Sequence, residues 1–199
     1  KTNKGINISE SEVVETIDTI NRQVDDIKNL VDEFSNFARM PAPNMHEYKI
    51  KTIIENAISL FDFEKNKILI DYNRNSLDRL VKCDESQINR VFNNLIINWI
   101  HAIEAKFKNR FGGKIYIEGN VEGDYIKIKI FDNGQGLIHK EADLLKPYFS
   151  TKDKNIGTGL GLSIVEKIIS EHEGNFHIYN LDDETGACSE FTLRLKNEW

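Results

Sequence analysis

The chain has 199 residues, a formal net charge of −6, a hydrophobic fraction of 40 % and a charged fraction of 29 %. That suits an ordinary soluble globular protein with one good-sized core and a helical appendage. The acidic balance argues against nucleic acid as the main partner, no apolar run approaches the ~20 residues that span a bilayer, and Cys83 and Cys188, far apart and without metal-ligand spacing, fit a reducing compartment.

The chain begins with Lys1 and not Met, so it is expected to be a piece of a longer protein. In its first forty residues Val13, Ile17, Ile20, Val24, Ile27, Val31, Phe34 and Ala38 keep an unbroken 4-3-4-3 spacing. This heptad seam predicts one helix of about 42 Å that needs a partner helix, since a narrow apolar stripe cannot bury itself. Ser9 with Glu12 reads as a capping box at its start, and Pro41 and Pro43 end it.

After the prolines the pattern becomes mixed. KIKTIIENAISLFDFEKN predicts a helix, and KILIDYN and RLVKC predict strands. Asp84 with Gln87 predicts a cap on the long apolar helix DESQINRVFNNLIINWIHAIEAKF, and FGGK a turn. KIYIEGNV and DYIKIKIFD alternate with period two around Glu122-Gly123-Asp124 and predict a hairpin. From Gly136 to Gly157 runs a polar stretch without sustained periodicity, longer than most loops of compact domains. A helix, LGLSIVEKIISEHE, is expected to stop at Gly174. The strands NFHIYNL and SEFTLRLK close the chain around a turn at Asp182 to Gly186.

Four stretches carry candidate chemistry. In NNLIINWIHAIEA, Asn94 and Asn98 lie one helical turn apart, with His101 near the same face. Amide oxygens suit Mg²⁺, a hard cation commonly shared with phosphates, although two surface asparagines would look the same. In IFDNGQGL, Asp132 ends an apolar run and is followed by Gly134 and Gly136. A buried carboxylate there suits an exocyclic amine such as that of adenine, while a strand-exit turn is the plainer alternative. In PYFSTK, Tyr148 and Phe149 are apolar anchors in a polar loop and Lys152 is a phosphate contact in waiting. In GTGLGL, Gly157, Gly159 and Gly161, with Thr158, Leu160 and Leu162 between and after them, lead straight into a helix. Glycines at a helix N-terminus let backbone N–H groups approach phosphates. The spacing is neither a Walker A loop nor a dinucleotide fingerprint.

In this order the four stretches resemble the N, G1, F and G2 boxes of the histidine-kinase ATP-binding domain, in the superfamily that includes gyrase, Hsp90 and MutL. The similarity runs from about Asn44 to the C-terminus. The segment QVDDIKNLVDEFSNFARMPAP resembles the second dimerisation helix and linker of NtrY-type nitrogen-regulation sensor kinases. The resemblance implies an α+β fold, a two-layer α/β sandwich of the Bergerat type with a mixed sheet, preceded by the long heptad helix. It implies a dimerisation helix and linker over 1–43 and an ATP-binding domain over 44–199, with a mobile lid over about 137–156.

By the same resemblance Asp132 would read the adenine amine, with Gly134 and Gly136 letting the backbone pass close to the nucleotide. Asn98 would coordinate Mg²⁺, with Asn94 as the polar residue one turn earlier and His101 beside them. Gly157, Thr158, Gly159, Leu160, Gly161 and Leu162 would flank the triphosphate, Phe149 and Lys152 would sit in the lid, and Ser189 would lie near adenine. Asn94 stands where ATP-hydrolysing relatives carry a glutamate, and an amide cannot act as a general base. The implied chemistry is therefore phosphoryl transfer with ATP and Mg²⁺. In the intact parent the γ-phosphoryl would pass to a histidine and then to an aspartate of a response-regulator receiver domain, in a homodimer held by the helical bundle.

Two departures qualify the likeness. Trp99 stands where the family usually has a small alanine, so the packing behind the N box must differ. None of His46, His101, His139, His172 or His177 has the setting of the phospho-accepting histidine. This chain is expected to bind ATP-Mg without phosphorylating itself. A non-catalytic dimerisation or docking module of a degenerate kinase, and an ATP hydrolase of the same superfamily, are the alternatives. The resemblance implies a cytoplasmic place for this region and leaves open an anchor in the bacterial inner membrane for the parent.

Overall fold

A computed structural model describes residues 10–65, 67–108, 111–149, 159–182 and 185–196. Helix α1, Glu10–Ala38, is a single rod of 29 residues. Its seam from Val13 to Val31 lies on the surface, with the stripe's side chains 43–64 % exposed. The expected Ser9–Glu12 capping box falls outside the described residues.

The remaining elements build one α/β body. Strand β1, His46–Lys49, runs directly into α2, Ile50–Ser59; β2, Ile68–Tyr72, precedes the single turn α3, Arg74–Leu77; β3 spans Leu80–Cys83. Then come α4, Glu85–Phe107, the hairpin β4, Gly113–Glu122, and β5, Tyr125–Asp132, the turn α5, Glu141–Leu144, helix α6, Gly161–Glu171, and strands β6, Phe176–Asn180, and β7, Ala187–Arg194. A five-stranded sheet has the order β2-β4-β5-β7-β6, with β2 parallel to β4 and every other pair antiparallel. β1 and β3 form a separate antiparallel ribbon.

Period-two alternation puts Ile126, Ile128, Ile130 and Asp132 of β5 on the inner face of the sheet. Against that face pack Ile88, Val91, Phe92, Leu95 and Ile96 of α4 and Ile164, Val165 and Ile168 of α6. Phe92 meets Phe191 of β7 edge-on with ring centroids 5.6 Å apart. Each fully buried side chain of this kind contributes roughly 1.5–3 kcal/mol. The other face is polar, with Lys127 and Lys129 paired to Glu122 and Glu190. This is the expected two-layer sandwich with a mixed sheet.

Asp84 caps α4 as expected, its Oδ1 accepting from the Ser86 and Gln87 N–H groups at 3.0 and 3.1 Å. Its Oδ2 accepts from Asn44 N at 2.9 Å, and Gln87 Nε2 donates to the Pro41 carbonyl at 3.1 Å. The linker after α1 is thereby strapped to the first turn of α4.

Three expectations shift. Helix α2 stops at Ser59, well before Asn66. The polar stretch after Gly136 contains the turn α5. And Gly174 does not end α6 by adopting the left-handed conformation, because Glu173 does so, at φ 59°. Gly174 is required for space instead, since a Cβ there would lie 2.1 Å from the Thr192 carbonyl oxygen.

Candidate nucleotide-binding site

Helix α4 is the floor on which the candidate residues assemble. Asn94 and Asn98 are half-buried on the same face. Asn94 Nδ2 donates to the Arg90 carbonyl at 2.8 Å, which fixes the amide. Its Oδ1 faces the start of α6, where a Cβ on Gly161 would lie 3.1 Å from that oxygen and 3.9 Å from Asn98 Nδ2. The N-terminus of α6, with its outward N–H groups and positive dipole end, therefore abuts two amide side chains of α4. His101 is half-buried one turn after Asn98. Leu160 is fully buried and Leu162 packs on the core, anchoring this first turn.

Asp132 ends β5 on the inner face and is only 4 % exposed. Burial pushes its carboxyl up to about 6, against the backbone hydrogen bonds of Gly134 and Ala187 and the nearby Lys106 ammonium. The Gly134 N–H donates to Oδ1 at 2.8 Å. A Cβ on Gly134 would lie 2.6 Å from the Ala102 carbonyl carbon, so only glycine lets the loop lie this close to α4. Gln135 N then donates to the Ala102 carbonyl at 3.1 Å. Gly136 takes φ +77°, with Asn180 Oδ1 where a Cβ would have to go.

Several side chains that hold this loop were not singled out in the sequence. Asn133 Oδ1 accepts from Lys114 N at 2.7 Å while its Nδ2 donates to the Gly112 carbonyl at 2.8 Å. Asn180 clamps Leu137, accepting from its N–H at 2.6 Å and donating to its carbonyl at 3.0 Å. Lys106 of α4 donates to the Asn133 carbonyl at 2.6 Å and to the Thr185 hydroxyl. The asparagine beside two spaced glycines was a readable signal for Asn133. Asn180 and Lys106 carried none, because their partners are far away in the chain.

Of the expected lid, residues 137–149 are described. Glu141 of α5 accepts from Ile178 N at 3.0 Å and meets His177 Nδ1 at 3.1 Å, tying this half of the lid to β6. Phe149 packs edge-on against His139 with centroids 5.0 Å apart. Tyr148, at φ +66°, donates its N–H to the Gly159 carbonyl at 3.1 Å, and its ring lies 6.3 Å from that of Phe34 on α1. Gly159, at φ +71°, has no room for a Cβ beside the Tyr148 and Phe149 backbone. Lys152, Gly157 and Thr158 lie outside the described residues.

Ser189 of β7 is 2 % exposed and stands on the same inner face as Asp132, since Asp132 pairs with Ala187 and Ile130 with Ser189. Trp99, the expected packing departure, is 3 % exposed and donates its indole N–H to Ser189 Oγ at 3.3 Å. The bulky ring is accommodated behind the asparagines and linked to the sheet.

Residues 83–198 match the family described as histidine kinase-, DNA gyrase B- and HSP90-like ATPase. The nitrogen regulation protein NtrY of Azorhizobium caulinodans is 36 % identical over 90 % of this chain and 23 % of its own length. The chain thus spans about a quarter of that relative. The nucleotide-free catalytic domain of histidine kinase ThkA is similar at a TM-score of 0.63 and 29 % identity, over 76 % of this chain and 96 % of that one. ThkA in complex with response regulator protein TrrA shares the fold at a TM-score of 0.72 and 23 % identity, over 97 % of this chain and 54 % of that one. The chain belongs to the family of histidine kinase-, DNA gyrase B- and HSP90-like ATPases, and its α/β body is an ATP-binding catalytic domain of the histidine-kinase kind.

Proposed function

We propose that this chain presents ATP-Mg for phosphoryl transfer to a histidine, and that the parent protein passes the phosphoryl group on to a response-regulator aspartate. The observation that carries this reading is the meeting of Gly161, at the N-terminus of α6, with Asn94 and Asn98 of α4. A helix N-terminus favours phosphate and hard amide oxygens suit Mg²⁺, so the two halves of a metal-bound triphosphate find complementary groups side by side. Asn98 would hold the metal, which supplies charge neutralisation between the phosphates when bound, and Asn94 would neighbour it. Asp132 would accept from the adenine amine, Ser189 would lie beside the base, and Gly157, Gly159 and Gly161 would line the triphosphate under a lid carrying Phe149 and Lys152.

An amide at position 94 leaves no general base one turn before Asn98, which favours transfer over hydrolysis. The exposed seam of α1 supports homodimerisation of residues 1–43 through a helical bundle. ThkA was crystallised with a response regulator, which supports a receiver domain as the partner. No helix among the described residues is long and apolar enough to cross a membrane. A cytoplasmic place for this region, in a parent anchored or not, is the reading we adopt. With no histidine in the phospho-acceptor setting, the chain takes up ATP without labelling itself.

Calorimetric titration with ATP and Mg²⁺, beside Asp132→Asn and Asn98→Ala, tests the proposal. Loss of one charge-assisted bond should weaken ATP binding roughly 10- to 100-fold in Asp132→Asn. Asn98→Ala should abolish the dependence of binding on Mg²⁺. Equal affinities in all three would sink the assignment.

A further inference from the structure

Lys106 is exposed on α4, yet its ammonium is held by three groups. It donates to the Asn133 carbonyl at 2.6 Å and to the Thr185 hydroxyl, and it stands over the Phe107 ring, 5.1 Å from the centroid. Fixing a long side chain in this way costs rotamer freedom that a surface lysine ordinarily keeps. The two oxygen partners come from segments far apart in the chain, the turn after β5 and the turn before β7. Lys106 lies eight residues beyond Asn98. That is about 12 Å along α4, away from the end of the site assigned to phosphate.

Both segments bear directly on Asp132. Gly134, next to Asn133, donates its N–H to Asp132 Oδ1 at 2.8 Å, and the Ala187 N–H, two residues past Thr185, bonds to the same carboxylate. Gly186, between Thr185 and Ala187, lies so close that a Cβ there would be 2.0 Å from the Asp132 carbonyl oxygen. Lys106 thus joins the two stretches of backbone whose N–H groups hold the carboxylate. Its charge acts in the same sense. The cross-strand neighbours of Asp132 are the uncharged Ile115 and Ala187, and among the described residues the Lys106 ammonium is the charge that favours its ionised form. Water screens part of that field, because Lys106 is exposed.

We infer that Lys106 is a positioning residue for Asp132, stapling the turn after β5 to the turn before β7 and so holding both N–H donors on the carboxylate. The inference rests on the nucleotide reading proposed above, in which the ionised Asp132 accepts from the adenine amine. Removing the ammonium should loosen the carboxylate and also raise the pH at which it takes up a proton. A role confined to packing would loosen it by the same factor at every pH. A direct contact to phosphate would act on a ligand that has no base.

The test is calorimetric titration of the whole chain with ATP and Mg²⁺ at two pH values, for wild type, Lys106→Met, Lys106→Arg and Thr185→Val. Inorganic tripolyphosphate serves as the probe without a base. The ratio of variant to wild-type affinity cancels the titration of the phosphates themselves. Lys106→Met is expected to weaken ATP roughly two- to tenfold at about pH 8 and about twofold further at about pH 6. Lys106→Arg keeps the charge and is expected to show the same ratio at both pH values. Thr185→Val, which removes one arm of the staple, should weaken ATP about twofold. Tripolyphosphate should bind wild type and Lys106→Met alike. Unchanged ATP affinity in Lys106→Met, a loss of the same size at both pH values, or a matching loss for tripolyphosphate overturns the inference while leaving ATP binding in place. Wild type that does not bind ATP overturns the nucleotide reading and this inference with it. Should Lys106→Met fail to fold, Thr185→Val decides, since ATP affinity equal to wild type there means that no staple acts on Asp132.

Discussion

Helix α1 and helix α4 are both long and both striped with apolar residues, yet they meet opposite fates. The stripe of α4 is buried against the sheet, and Ile88, Val91, Phe92, Leu95 and Ile96 are all inaccessible to solvent. The stripe of α1 stays on the surface along most of its length. Their spacing explains the difference. Apolar residues on α4 also fall between the heptad positions and make a broad face that a sheet can cover, whereas α1 keeps to a narrow seam that fits only another helix. An amphipathic pattern thus says that a helix will be covered, and its width says by what.

The contrast breaks hardest at Phe92. Replacing it by alanine removes an aromatic side chain from a packed site and should cost about 3–5 kcal/mol of unfolding free energy, read by denaturant titration. A value near that of a surface change would mean the core beneath α4 is loose.

Asp132→Asn should move stability the other way. The folded carboxyl sits near 6, above its ordinary 3.8, so the folded state holds the proton more tightly than the unfolded chain between those values. Stability from this group is therefore greatest in acid, falls as pH rises from about 4 to about 6, and stays low above. Asparagine removes the buried charge and should stabilise the chain at pH 7 by about 3 kcal/mol. It should also flatten the acid side of the melting profile while weakening ATP. A variant that melts no higher than wild type at neutral pH would show that the carboxylate is well solvated.

Asp84→Ala should cost about 1–2 kcal/mol, the usual worth of a helix N-cap. Burial raises this carboxyl, but the Asn44, Ser86 and Gln87 N–H groups and the Ser86 hydroxyl outweigh it and hold it below the ordinary value. Its contribution is present above the unfolded carboxylate pKa and is lost as pH falls through the lower folded one. The penalty should accordingly shrink when the two proteins are compared at strongly acid pH. The smallest effect belongs to α1. Ile20→Ala should change the unfolding of the α/β body by under about 0.5 kcal/mol, because the side chain touches none of its core. A larger loss that grows with protein concentration in light scattering would sharpen the comparison, since it would put the seam inside an assembly.

Most of the architecture was legible because it follows short-range rules. The period-two runs became β4, β5 and β7, and the Asp84–Gln87 signal became the cap of α4. The strand β1 was missed because HEYK is largely polar and pairs only with β3, outside the main sheet. The turns α3 and α5 are single turns, too short to show a helical period. At the site, Asp132, Gly134 and the two asparagines announce themselves through local motifs. Gly134 does so for a reason visible only in space, the backbone of Ala102 lying where its side chain would be. Asn180 and Lys106 hold the same loop across long sequence separations, and no local rule reaches that far. The size of Trp99 is readable in the sequence, but its N–H bond to Ser189 joins α4 to β7 across ninety residues, beyond any local rule.

The strap between the linker and α4 also has a mechanical side. Asn44 and Pro41 are fastened to the first turn of the helix whose far half carries Asn98. At 1.5 Å per residue, Asn98 stands about 21 Å from Asp84 along a single stiff rod. Because α4 is packed into the core, the α/β body turns with it as one lever with its fulcrum at the linker: a rotation of about 10° there carries Asn98 through roughly 4 Å relative to that linker. Groups aligned for reaction tolerate displacements of only about 1 Å. A few degrees at Asp84 are enough to carry the far end of the rod out of alignment, without any change inside the domain itself.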